Sequence, residues 1–182
     1  MNTKHKINLS NWMIYIGMVG IFLVFAIVCS AMGKNFLNLN NIMNIINQAS
    51  INAIIAIGAS LVILTGGIDL SVGSVVGFVG IFLAMNLKAG MSIPLAILLC
   101  LICGVAIGLF NGILVSYGKV PAFITTLGSM QAVRGLAQII NGGQAVSGFP
   151  LEIGAVMKTR FFGVVPIGVL YVAVFYTVMV LI

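Results

Sequence analysis

The segment Leu64–Ser74, LTGGIDLSVGS, separates two apolar runs and contains one of only two acidic residues in this chain of 182 residues. Glycine adopts positive φ and often ends helices, so Gly66 and Gly67 predict a helix break. A carboxylate in the middle of a membrane-spanning helix costs about 2.5 to 3.5 kcal/mol on insertion scales. Asp69 is therefore expected at an interface, in a cavity or at the break itself.

The composition around this break is that of an integral membrane protein. Hydrophobic residues make up 62% of the chain and charged residues 5%, and the mean hydropathy is +1.27. A water-soluble domain contains about 25% charged residues. The eight Lys and Arg residues and the two acidic residues give a net charge of +6. The basic residues are mostly spread over short polar gaps, and this argues against a nucleic-acid surface.

Six apolar stretches are candidates to cross a bilayer, for which about 20 residues are needed. They are residues 12–32, 42–65, 70–87, 93–117, 120–140 and 161–182. Helices are expected, because a helix satisfies its own backbone hydrogen bonds in lipid and the sequence shows no alternating barrel pattern. The predicted fold is thus all-α, a polytopic membrane bundle of about six transmembrane helices. A polar leader occupies residues 1–11 and the transmembrane domain residues 12–182.

Two interpretations of Asp69 are open. In the first, a helix begins at Leu70 with Asp69 as its N-cap, and the carboxylate accepts a hydrogen bond from the amide of Ser71 or Val72. In the second, the break lies within the membrane protein and lines a solute path, as discontinuous helices do in transporters. Neither interpretation excludes the other. The residues of this segment assigned to the candidate path are Gly66, Gly67, Asp69 and Ser71.

A second informative stretch is Phe110–Gly135, FNGILVSYGKVPAFITTLGSMQAVRG. Asn111 is a polar residue inside a predicted span. Pro121 lies near the first turn of the next helix, where its missing N–H has no cost. Arg134 either extends its alkyl chain so that its charge reaches an interface or serves a polar path.

Small residues follow this turn and suit close helix contact or hydrogen bonding across a bundle. They are Thr125, Thr126, Gly128 and Ser129. From the whole stretch, the residues added to the candidate path are Asn111, Thr125, Thr126 and Arg134. The residues assigned to turns or packing are Gly73, Gly112, Pro121, Gly128, Gly142 and Gly143.

The sequence contains no set of catalytic or metal-binding residues. One His, two distant acidic residues and the lack of an H-E-x-x-H or P-loop motif leave little chemistry for an enzyme. Cys100 and Cys103 form a C-x-x-C pair inside an apolar run, so buried thiols are expected. The chain is predicted not to be an enzyme, and any ATP hydrolysis would require another chain.

The ordered motifs resemble a known family. The segment SINAI at residues 50–54 leads into GASLVILTGGIDLSVGS, and NGILVSYGKVPAFITTLGSM, Arg134-Gly135 and Asn141-Gly142-Gly143 follow. In this order and at these separations they resemble the ribose-type sugar permeases of ATP-binding-cassette (ABC) importers. The similarity extends over nearly the whole chain from Phe36 onward.

This resemblance implies a permease subunit in a bacterial inner membrane that moves a monosaccharide, ribose first, inward by alternating access. The implied partners are a second permease copy, a cytoplasmic subunit that carries ATP and Mg²⁺, an extracytoplasmic sugar-binding protein and the lipid bilayer. No cofactor is expected on this chain. The rival functions are a small ion-coupled secondary transporter and a non-transporting membrane scaffold or inactive fragment.

The positive-inside count over all the spans does not decide the orientation, and Lys4 and Lys6 before the first span favour a cytoplasmic N-terminus for the first helix alone. The resemblance supports the same orientation, because an even number of spans returns residue 182 to the cytoplasm. The family's membrane domain is longer, with an ATPase-docking segment that would follow residue 182. Because this chain stops inside an apolar run, it is expected to be C-terminally truncated.

Overall fold

A computed structural model describes residues 9–148, 150, 153–154, 159–161 and 165–181 of the chain. Its helices and strands are α1 (Leu9–Ala31), α2 (Leu39–Leu64), α3 (Val72–Lys88), α4 (Ile93–Ser116), α5 (Ala122–Asn141), β1 (Arg160–Phe161), β2 (Val165–Pro166) and α6 (Ile167–Leu181). The predicted helical fold class is confirmed, with a two-residue antiparallel ladder added before the last helix. Most of the predicted leader, including Lys4 and Lys6, lies outside the described residues.

A helix corresponds to each of the six predicted spans. Within the described part of the chain, three are long and apolar enough to cross a membrane: Trp12–Ala31 in α1, then α2 and α4. Helices α3 and α6 are apolar but have 17 and 15 residues, and the 20-residue α5 carries more polar side chains. That these three also cross the bilayer stays a prediction.

The sixth helix begins later than the predicted start at residue 161. Residues Arg160–Phe161 and Val165–Pro166 form the antiparallel ladder, and α6 begins at Ile167. A residue that precedes proline is biased away from the α conformation, so Val165 stays extended. The backbone N–H of Ile167 then donates to the carbonyl oxygen of Thr159 at 3.1 Å.

The end of α2 has the backbone pattern of a Schellman motif. Gly66 has a φ of 76°, in the left-handed region that glycine enters without steric penalty. Its N–H donates to the carbonyl oxygen of Ile63 at 2.9 Å, and the N–H of Gly67 donates to that of Val62 at 3.0 Å. The predicted helix break at Gly66 is thereby confirmed.

The chain divides into two compact units, Met1–Gln48 and Ala49–Ile182. In the first unit the rings of Phe22 and Phe36 meet edge to face with centroids 5.2 Å apart. In the second unit α3, α4 and α5 pack against one another, with α3 and α5 starting at the end where α4 finishes. The buried side chains of this second unit are mostly small or polar, which permits close helix approach.

Candidate functional site

The break between α2 and α3 is held by the Asp69 carboxylate. Its Oδ1 accepts hydrogen bonds from the backbone N–H of Ser71 at 2.7 Å and from the Ser71 hydroxyl at 2.6 Å. The expected bond from the Ser71 amide is therefore present. However, α3 begins at Val72 and the N-cap position belongs to Ser71. The prediction of Asp69 as N-cap is wrong by two residues, because its carboxylate closes a turn over Leu70 instead.

Ser71 connects this turn to α4. It is 2% exposed, and its Oγ accepts a hydrogen bond from Nδ2 of Asn111 at 3.1 Å. A hydroxyl has a single proton, which Ser71 gives to Asp69, so the bond with Asn111 must have Ser71 as acceptor. The carboxylate of Asp69 thus sets the direction of both bonds.

Helix α5 contacts the same break through Thr126. The hydroxyl of Thr126 lies 3.0 Å from the carbonyl oxygen of Ile68 and 2.9 Å from that of Ala122. A Cβ added to Gly67 would be crowded by Cγ1 of Val62 in α2, at 3.2 Å, and would make an ordinary contact with Cβ of Ala122 at the start of α5, at 3.5 Å. The end of α2, the break and the start of α5 therefore meet at one place.

A cavity of about 540 Å³ lies at this meeting point. That volume falls within the roughly 300–1,000 Å³ of small-molecule sites. The end of α2, the break, the last turns of α4 and the start of α5 form its walls. The predicted path residues that line it are Gly66, Gly67, Asp69, Asn111 and Thr126, together with the predicted turn or packing residues Gly112 and Pro121.

The structure separates the other predicted residues from this cavity. Ser71 borders a smaller cavity of about 170 Å³ between α3 and α4. Arg134 is exposed and lies eight residues beyond Thr126 on α5, a distance of about 12 Å at 1.5 Å per residue. Arg134 lines neither cavity, so any polar path that it serves would lie in another part of the protein.

Three of the four residues expected on the small-residue face of α5 are buried, and two further residues of α5 are buried with them. Gly128 is exposed, and a Cβ added to it would meet no atom within 4 Å, so it makes no close helix contact among the residues that the structure describes. The buried members are Thr125, Thr126, Ser129, Val133 and Ala137. Gly73 on α3 is likewise exposed, whereas Gly142 and Gly143 form the turn that ends α5, with φ of 63° and 71°.

Three polar residues near the site were missed from the sequence. Thr65 and Ser116 line the cavity. Ser74 is buried on α3, and its hydroxyl has no hydrogen-bond partner among the described residues. The sequence feature that could have indicated Ser74 is its spacing of three residues from Ser71, which places the two side chains on one helix face.

The described residues contain no group of three or more His, Cys, Asp or Glu side chains that could hold a metal ion. Cys100 is buried and Cys103 half-buried, and both are free thiols. The Sγ of Cys100 lies 3.6 Å from the carbonyl oxygen of Val79, so this thiol contributes to helix packing.

The neighbouring threonines of α5 give a matched test of this packing. We expect Thr126→Val to lower the free energy of unfolding by about 1 kcal/mol, because the hydroxyl proton shared by the carbonyl oxygens of Ile68 and Ala122 is lost. Thr125→Val is expected to be neutral or stabilising, since the buried Thr125 hydroxyl has no partner among the described residues. Apparent melting temperatures in nanodiscs measure both, and equal losses would contradict the assigned bond.

Comparison with known proteins identifies the family of the chain that contains this cavity. Residues 41–182 match the family described as branched-chain amino acid transport system / permease component. The chain belongs to this permease family. The resemblance to an ABC importer permease, predicted from the motifs, is thereby confirmed at the level of the family.

Curated relatives of this permease family are similar over most of the chain. The autoinducer 2 import system permease protein LsrC of Yersinia enterocolitica is 36% identical over 151 residues, which cover 83% of this chain and 42% of the relative. The protein of the same name from Salmonella paratyphi B is 37% identical, covering 79% of this chain and 43% of the relative. The protein of the same name from Escherichia coli O9:H4 is 38% identical, covering 74% of this chain and 40% of the relative.

The chain thus spans about two-fifths of the length of the curated relatives that it matches. No solved structure matches the chain.

Proposed function

We propose that the chain belongs to the membrane-spanning permease of an ATP-driven importer, which moves a small polar solute inward by alternating access. The observation that carries this proposal is the match of residues 41–182 to a family of transport permeases. The broken helix supports it, because its polar groups line a cavity of suitable size. Helix breaks of this kind are a recurring feature of solute paths in membrane transporters.

Autoinducer 2 is the first candidate solute, because the named relatives are autoinducer 2 import permeases. Ribose, which the motif resemblance implies, is the second candidate. Both fit the proposal of a small solute that binds through hydrogen bonds.

The proposed assembly contains a second permease subunit, a cytoplasmic subunit that binds ATP and Mg²⁺, and an extracytoplasmic binding protein. It lies in the bacterial inner membrane with the N-terminus of this chain in the cytoplasm. With that orientation α2 ends towards the cytoplasm, and the break cavity belongs to the cytoplasmic half of the path.

The decisive experiment expresses the polypeptide containing this chain together with ATP-binding and solute-binding proteins encoded beside it. Uptake of labelled autoinducer 2 and D-ribose is then measured in proteoliposomes. We expect uptake that requires hydrolysable ATP, and a permease that co-purifies with the ATP-binding subunit. Uptake driven by a proton or sodium gradient without ATP would establish the ion-coupled alternative, and stable insertion without any uptake would support the scaffold.

A further inference from the structure

A further cavity lies at the end of α3 that is remote from the break, where α3 and α5 both finish. Its volume is about 420 Å³, which is within the roughly 300–1,000 Å³ of small-molecule sites. The last turns of these two helices and residues 144–146 form its walls, and it shares no lining residue with the break cavity. This α3–α5 cavity is therefore a separate candidate site.

Lys88 is the only ionisable residue in the lining of this cavity. It is the last residue of α3 and its side chain is exposed. Asp69, the only acidic residue in the part of the chain that the structure describes, lies before the first residue of α3. The 17 residues of that helix rise about 25 Å. No described carboxylate therefore neutralises Lys88, and its positive charge is available to an anionic group.

The ends of the two helices do not cancel this charge. A helix C-terminus carries a partial negative charge because its last carbonyl oxygens lack hydrogen-bond donors. At the end of α3, the carbonyl oxygens of Met85 and Leu87 accept from turn N–H groups at 3.0 and 3.1 Å. At the end of α5, the N–H of Gly143 donates to the carbonyl oxygen of Gln138 at 2.9 Å. Since these oxygens have donors, the full charge of Lys88 dominates the cavity.

The lining changes from apolar to polar along the helix axes. Met85 lies one turn before Lys88 on α3, and Ile140 directly precedes Asn141, the last residue of α5. The exposed side chain of Gln144 follows, and Asn141 Nδ2 holds this turn by donating to the carbonyl oxygen of Gln144. Cation and amide donors thus lie at the helix ends, beside an apolar wall one turn further in, which suits an amphipathic anion.

We propose that the α3–α5 cavity binds an anionic phospholipid, whose headgroup phosphate contacts Lys88 and Gln144 and whose acyl chain begins beside Met85 and Ile140. Basic pockets between transmembrane helices bind lipid headgroups in this way, and a Lys at a helix end places its amine at headgroup level. The inference rests on the prediction that α3 and α5 cross the bilayer. It does not depend on the transported solute, because the cavity is separate from the break.

The test measures lipid binding to the polypeptide that contains this chain, purified with its ATP-binding subunit, by native mass spectrometry. Dioleoyl phosphatidylglycerol, which is anionic, and dioleoyl phosphatidylcholine, which has the same acyl chains and no net charge, are titrated separately. We expect an about fivefold lower Kd for phosphatidylglycerol. Equal Kd values would overturn the proposal, and displacement of phosphatidylglycerol by an excess of inorganic phosphate would identify a site for a soluble anion instead of a lipid.

The variant arm uses Lys88→Gln, which removes the charge and keeps a long polar side chain. Its matched control is Lys34→Gln, because Lys34 is also exposed and lines none of the three cavities described. We expect the preference for phosphatidylglycerol to be lost in Lys88→Gln and to change less than twofold in Lys34→Gln. Equal losses in both variants would indicate a general attraction to net positive charge and would overturn the site.

Ala89→Phe tests the cavity without a change of charge, because Ala89 is exposed in its lining and a larger side chain would occupy the space. We expect weaker binding of phosphatidylglycerol, and an unchanged Kd would contradict binding inside the cavity. If Lys88→Gln keeps the lipid preference and instead weakens association with the extracytoplasmic binding protein, the surface binds a protein and the proposal is wrong. A wild-type complex without ATP-dependent uptake would refute the proposed function and leave these lipid comparisons valid.

Discussion

Gly118→Ala is expected to destabilise the turn between α4 and α5, because a Cβ at residue 118 would lie 2.6 Å from the carbonyl oxygen of Leu114. The nearest atoms are backbone, so no side chain can move aside. The turn would have to open and lengthen its two hydrogen bonds, Gly118 N–H to Ile113 and Val120 N–H to Leu114, both 3.2 Å. Overpacking of this kind costs about 1–3 kcal/mol. The apparent melting temperature in nanodiscs measures the loss.

Gly104→Ala is the matched control, since Gly104 lies inside α4 and an added Cβ would meet no atom within 4 Å. Alanine is a better helix former than glycine, so this variant is expected to keep or raise the melting temperature. The hypothesis of a tightly closed turn would be refuted if the two variants melted at the same temperature. Because Val120 and Pro121 of this turn line the break cavity, Gly118→Ala is also expected to weaken solute binding.

Helix ends could be predicted from the sequence where local chemistry determines them. Gly66 and Gly67 end α2 as expected, because the positive φ and the backbone bonds of a Schellman motif depend only on neighbouring residues. Helix α3 begins at Val72, two residues after its predicted start at Leu70. The Asp69 side chain could either cap a helix or close a turn over Leu70, and the sequence does not distinguish the two. The start of α6 depends on the pairing of Phe161 with Val165, which no periodicity reveals.

The members of the site could be predicted by residue type, but their partners could not. Asp69 and Asn111 stood out as polar groups in apolar runs, yet the bond from Asn111 to Ser71 joins positions 40 residues apart in the chain. Thr126 and Arg134 lie on one helix, and only the packing of α5 against the break shows that the first lines the cavity and the second does not. Tertiary contact, which a single sequence does not encode locally, made that distinction.

Asp69→Ala is expected to lower the stability of the break and to reduce ATP-dependent uptake at least tenfold. The variant removes the acceptor of two hydrogen bonds from Ser71, and a bond to a charged group contributes about 1.5–3 kcal/mol. The freed Ser71 hydroxyl can then donate to Asn111, so the Asn111 amide is no longer held in one orientation. Melting temperature, uptake and ligand Kd are measured on the same preparation.

Asp69→Asn separates the charge of this side chain from its acceptor oxygen. The amide oxygen can still accept from the Ser71 backbone and hydroxyl, so we expect normal insertion and more than half of the wild-type uptake. An Asn variant that inserts normally but fails to transport would show that transport requires the negative charge itself. Uptake retained in Asp69→Asn and lost in Asp69→Ala would show that the negative charge is not required, because Asn keeps the acceptor oxygen and the volume of Asp but not its charge.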